Sequence, residues 1–184
     1  MSRVLATSVL ACHPATPCQA LAALGAQISQ SDDMRWDVQF AAIGKPGDLV
    51  IPRAAPRVHT DELWKTTCFE LFIGRGGDSY AEINLSPSGA FAVYNFDHYR
   101  TGMRKLDLPP PDLALDVGSE RLTLTARFPE DSLPWDFDGR IGISAVIEEK
   151  SGAKSYWALA HPPGKPDFHH HDCFALALAP LGGS

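Results

Sequence analysis

No window of useful length in this chain keeps apolar residues at helical spacing without a Gly or Pro interruption, whereas alternation with a period of two recurs along most of it. The clearest case lies between His59 and Arg100. Residues 68–73 (CFELFI) alternate and stop at a Gly-rich stretch. Residues 80–85 (YAEINL) alternate and stop at Ser86-Pro87-Ser88-Gly89, and residues 90–99 form a third run rich in Phe, Val and Tyr. Strand runs separated by short Gly, Pro, Ser and Asp loops are the pattern of an antiparallel meander.

Successive strand residues point to opposite faces. Phe69, Leu71 and Ile73 therefore share one face, and Cys68, Glu70 and Phe72 the other. In the next run Ala81, Ile83 and Leu85 oppose Tyr80, Glu82 and Asn84. This predicts a sheet face carrying Glu70, Glu82 and Asn84 beside Trp64. Such a face suits a polyhydroxylated ligand: a ring covers the apolar C–H face of a sugar, while acids and an amide bond its hydroxyls. The alternative is a wet sheet face whose carboxylates pair with nearby Arg or Lys.

Residues 4–12 read as a first strand. Residues 19–26, rich in Ala and Leu, suit either a helical turn or an extended segment feeding a strand near 27–29. Met34, Trp36, Val38 and Phe40 alternate with Arg35, Asp37 and Gln39 as a half-buried strand, and 49–51 reads as a short strand ended by Pro52. The consecutive Pro109, Pro110 and Pro111 cannot sit inside a sheet and mark a bridge or edge connection. Strands are expected over 113–117, 121–128, 141–148, 156–160 and 174–178, with a turn over 131–138 holding Trp135, and Pro180 soon after the last strand. The sum is an all-β, antiparallel β-sandwich, with residues 1–184 as a single domain.

Net charge is −6, with acids and bases interspersed. That argues against the basic patch a nucleic-acid partner needs and gives no polybasic signal for a membrane. The apolar run after Met1-Ser2-Arg3 is short and leads into His13-Pro14 instead of a small-residue cleavage site. It is read as a strand, and the protein is expected in the cytoplasm. Cys12, Cys18, Cys68 and Cys173 contain no C-x-x-C pair. Cys68 and Cys173 are expected as buried free thiols, and a Cys12–Cys18 disulfide would need an oxidising compartment.

Glu62-Leu63-Trp64, residues 67–73 (TCFELFI), 80–89 (YAEINLSPSG) and 94–100 (YNFDHYR) resemble, in order and spacing, the DOMON-like family, whose sandwich is related to that of family 9 carbohydrate-binding modules. Residues 157–169 (WALAHPPGKPDFH) are similar to a bacterial DOMON-like subgroup. The resemblance implies a ligand site on a concave sheet face or its rim, taking sugars in some relatives and haem in some cytochrome domains. It implies Trp64 as the ring that stacks on a sugar, Glu70 as the strand acid and Trp157 as a second aromatic. No acidic loop here matches the calcium sites of some such modules.

His161, Lys165, Asp167, His169, His170, His171 and Asp172 lie close together near the C-terminus. Adjacent histidines cannot all point at one ion, and no regular ligand spacing is present, so no metal is expected. Lys165 and His169 are expected to face Glu70 and Glu82 across the ligand site, with Arg57 and Arg100 as further donors. The alternative is an ion-pair network closing one end of the sandwich. Met103, His98 and His161 are residue types that ligate haem, but C-x-x-C-H is absent and the candidate face is charged. Glu70 and Glu82 are the residue types of a glycosidase pair, without a nucleophile elbow, P-loop or zinc-protease motif.

The expectation is non-catalytic binding of a small polar ligand, carbohydrate first, without metal or cofactor. The binding residues are Trp64, Glu70, Glu82, Asn84, Arg100, Trp157, His161, Lys165 and His169. Haem or metal binding, and an enzyme acting on a sugar or sugar-phosphate, are the alternatives.

Overall fold

The alternating runs become antiparallel strands. The computed structural model describes residues 2–33, 35–129 and 136–178. Its strands are β1 (Ser2–Cys12), β2 (Leu21–Ser31), β3 (Trp36–Gly44), β4 (Cys68–Gly74), β5 (Tyr80–Leu85) and β6 (Phe91–Phe96). They continue with β7 (Arg104–Lys105), β8 (Asp112–Val117), β9 (Arg121–Phe128), β10 (Arg140–Glu148), β11 (Lys154–Ala158) and β12 (Leu176–Ala177). The only helical elements among the described residues are 3-10 turns of three residues.

The strands form a sandwich of two sheets. The first runs β1-β2-β3-β9-β8 and the second β7-β6-β5-β4-β10-β11, with β12 beside β10. β1 serves both. Its residues 2–10 pair with β2, and then Ala11 and Cys12 pair with Ala158 and Trp157 of β11.

Alternation sets the core. Val38, Phe40 and Ala42 on β3 and Leu122, Leu124 and Ala126 on β9 are fully buried, as is Phe69 on β4. They meet Leu71, Ile83 and Ile143 of the second sheet in one apolar cluster. Phe40 and Phe69 make ring contact across the sheets at 4.9 Å. Burying a side chain of this size contributes about 1.5–3 kcal/mol.

Residues 19–26 resolve into the start of β2, without a helical turn. Leu24, Ala26 and Ile28 must alternate into the core while β2 bonds β1 and β3, and this pairing overrides the helix preference of Ala and Leu. Residues 49–51 form no strand; Leu49 makes one bridge to Glu149. The third meander run ends at Phe96, because the chain reverses over residues 98–101 to form β7. All four cysteines are free, Cys68 and Cys173 buried as expected. Met34, residues 131–135 and Pro180 lie outside the described residues.

β4, β5 and β6 are buried at every residue, so both faces of the second sheet are covered. Part of the cover is chain that follows β11. A Cβ at Gly142 would sit 3.1 Å from Phe72 and 3.2 Å from the Cys173 carbonyl. The missing side chain lets the turn at His171–Cys173 lie against β10. Phe174 then packs on Phe72 and Tyr80, with ring centroids at 5.8 and 5.5 Å.

Candidate functional site

The register of β4 and β5 sets Glu70 opposite Asn84, and Phe72 opposite Glu82. Glu70 and Glu82 are therefore diagonal neighbours on the outer face, a relation that puts Cα atoms about 7–8 Å apart. Both carboxylates line a cavity of about 370 Å³. β6 adds Tyr94 and Phe96, β10 adds Val146 and β11 adds Tyr156. Trp64 stands on the 3-10 turn Leu63–Lys65, edge-on to Tyr94 at 6.0 Å. Arg100 and Met103 come from the reversal after β6, and Pro166, Phe168 and His169 from the loop after β11.

Burial dominates the electrostatics. Glu70 is 2% exposed, and its partner is the Ser144 hydroxyl, which donates at 3.0 Å. Desolvation, then the charge of Glu82, pushes the Glu70 carboxyl up to about 8, against smaller pulls from Ser144 and Arg100. Glu82 is also raised by burial, opposed by the Asn84 amide, which donates at 2.8 Å, and by Arg100. Glu70 therefore keeps its proton at neutral pH.

Burial lowers His169 to about 4, with Arg100 acting in the same direction, so the ring is neutral. The Tyr80 hydroxyl accepts the Arg100 backbone N–H at 3.2 Å, which leaves its own proton for His169 Nδ1 at 2.8 Å. The remaining ring proton is then on Nε2, 3.7 Å from Glu82, too far for a hydrogen bond.

Arg100 has a left-handed backbone with φ 51°, unusual outside Gly. The local structure holds it there. Its guanidinium donates to Asp167 at 2.8 and 3.3 Å, and the Tyr99 hydroxyl bonds the other oxygen of that carboxylate. Although burial acts the other way, the Tyr99 and Arg100 bonds hold Asp167 below the usual carboxylate range. This cluster ties the reversal after β6 to the loop after β11 at the cavity mouth.

The structure brings together Trp64, Glu70, Glu82, Arg100 and His169. Asn84 is fully buried behind Glu82 and braces it. Three expected residues lie elsewhere. Trp157 faces the inner core, where its indole donates to Ser155 at 3.0 Å, because register with Ala145 puts it on the same face as Phe69. Tyr156 holds the cavity position instead. His161 packs edge-on to His13 at 4.8 Å and bonds the Ala11 carbonyl at 2.8 Å, which fixes it beside the end of β1. Lys165 is exposed and is not part of the lining. Arg57 pairs with Asp112 at 2.5 Å. Tyr94, Phe96, Met103, Val146, Tyr156, Pro166 and Phe168 were not expected in the site; of these, Tyr94, Phe96, Val146 and Tyr156 lie in runs expected as strands.

His170, His171 and Asp172 are close enough to share an ion, but the Asp172 backbone N–H already donates to His170 Nδ1 at 3.3 Å. That ring nitrogen serves the local turn.

No protein-family model matches the chain, and no curated protein matches it. Among solved structures, the fold is similar to that of a "putative carbohydrate-binding protein" from Bacteroides uniformis, with a TM-score of 0.62 and 13% sequence identity. The match covers 92% of this chain and 84% of that one. At this identity the likeness is one of fold: this chain is an all-β sandwich built like that protein.

Proposed function

We propose that the cavity over the second sheet binds a small polyhydroxylated ligand, a carbohydrate first, without chemical turnover. The observation that carries this reading is the cavity itself, aromatic-walled, with the buried Glu70–Glu82 pair at its base. Trp64, Tyr94 and Tyr156 offer ring surface to the C–H face of a sugar. Protonated Glu70 and the His169 Nε2–H supply donors, and Glu82 an acceptor. The volume suits a small ligand. The fold likeness to a protein named for carbohydrate binding is consistent with this reading. Residues 1–184 would form one DOMON-like module, related to the family 9 carbohydrate-binding modules and working in the cytoplasm.

The test is titration with a monosaccharide panel, read by saturation-transfer NMR and calorimetry. Trp64→Ala and Glu70→Ala are each expected to weaken binding by about tenfold, the loss of one ring contact or one hydrogen bond. Unchanged affinity in both variants would remove the site.

One observation favours a second reading. A carboxyl raised to about 8 beside a second carboxylate is the asymmetry a sugar-acting acid–base enzyme uses. Turnover abolished in Glu70→Gln, with binding retained, would select that reading.

A further inference from the structure

The charges around the cavity do not cancel, and the imbalance specifies a ligand. Among the described residues, six titratable or charged groups surround the acid pair: Cys68 on β4, Tyr80 on β5, Tyr94 on β6, Arg100 after it, Tyr156 on β11 and His169 on the loop beyond, where Asp167 pairs with Arg100. β10 presents only Ser144 and Val146. Burial keeps the thiol and His169 neutral, and tyrosines are neutral near pH 7. Arg100 is the fixed cation among the described lining residues, and Asp167 offsets it at 2.8 Å. Glu70 and Glu82 remain. Among the described residues neither is ion-paired with a lysine or arginine, and one Glu70 oxygen has no hydrogen-bond donor. Glu70 is nevertheless almost fully buried and forms part of the cavity wall.

We infer that the cavity selects an aminated sugar, whose ammonium group seats between Glu70 and Glu82 while the aromatic walls hold its ring. The inference rests on the carbohydrate reading of this same site and narrows it. An ammonium donates three hydrogen bonds and carries one positive charge, so it serves both carboxylates at once. Trp64, Tyr94 and Tyr156 add ring faces that attract a cation. Such a cation lets Glu70 ionise beside Glu82 below the pH at which it does so alone. Glu70 enters the complex carrying a proton. The ammonium displaces it, Glu70 becomes a carboxylate, and the proton passes to the buffer. No covalent bond forms or breaks apart from that O–H.

The test is calorimetry on the full chain at pH 6.5, in buffers of differing ionisation enthalpy. The probes are glucosamine, galactosamine and mannosamine, each beside its parent hexose and its N-acetyl form. At least one amino sugar is expected to bind about ten- to a hundredfold tighter than its parent, the value of a charged hydrogen-bonded contact. It should release close to one proton, and the parent none. N-acetylation should erase the preference. Glu70→Gln keeps the side-chain volume and should abolish proton release; its melting curve shows whether it folds, and the wild-type proton count stands without it. If a neutral hexose binds as tightly as its amine with no proton released, the inference fails and the carbohydrate reading survives. If none of the nine sugars binds, both fail.

Discussion

The outer faces of the two sheets are built by the same alternation and end in opposite states. On the first sheet Gln39, Thr123, Thr125 and Arg127 meet solvent, Gln39 bonding Thr125 at 3.3 Å and Arg127 pairing with Asp37 at 3.1 Å. On the second, Glu70, Glu82 and Asn84 occupy equivalent outward positions and are buried. The strands do not make this difference. The segments that carry Trp64, Arg100 and Phe168 fold over one sheet and not the other. A carboxylate on a strand acquires unusual chemistry only when other chain covers it, since desolvation is the leading cause of the Glu70 shift.

Breaking the shared interior should have the largest effect. Phe69→Ala removes the ring that meets Phe40 between the sheets and is expected to cost about 3–5 kcal/mol in urea unfolding. Sharpening the contrast comes next, through pH. Glu70 titrates near 8 when folded and near 4.5 when unfolded. Between those values the folded state binds more protons, so this group's contribution to stability is present in acid and lost as pH rises through 8. The difference between wild type and Glu70→Gln should therefore change by on the order of 3 kcal/mol from pH 5 to pH 8, with the variant gaining relative stability as pH rises. A flat difference would mean that Glu70 is solvated, like the acids of the first sheet.

Tyr80→Phe removes the hydroxyl that joins Arg100 to His169 and should lower stability by about 1 kcal/mol. It should also free the His169 ring, visible as a changed imidazole signal in NMR. Arg127→Ala on the first sheet is expected to stay within about 0.5 kcal/mol, the ordinary value of an exposed pair. A larger loss there would erase the distinction between the faces.

Much of the fold was legible because alternation is a local property. Phe69, Leu71 and Ile73 turned inward and Glu70, Glu82 and Asn84 outward, as their spacing required. The site was legible only where strands build it. Tyr156 and Trp157 are adjacent aromatics on β11, and residue type cannot say which one faces outward; register with Ala145 decides. Lys165 and His169 sit in one loop with equal claim to the site, and the docking of Phe168 and Phe174 selects His169. β2 hid behind its alanines, because strand preference here comes from neighbours on both sides.

β1 carries its pairing from one sheet into the other, so with β12 beside β10 off the path, the hydrogen-bonded path among the described residues ends at β7 and β8. Free strand edges are where unrelated copies of a chain zip together. One of these is two residues long and consists of Arg104 and Lys105. The other, β8, follows three prolines directly and carries Asp112 and Asp116. Short length, charge and proline are the features that discourage edge-to-edge growth. The arrangement that builds a covered site on one sheet therefore also leaves little exposed backbone from which aggregates could be templated.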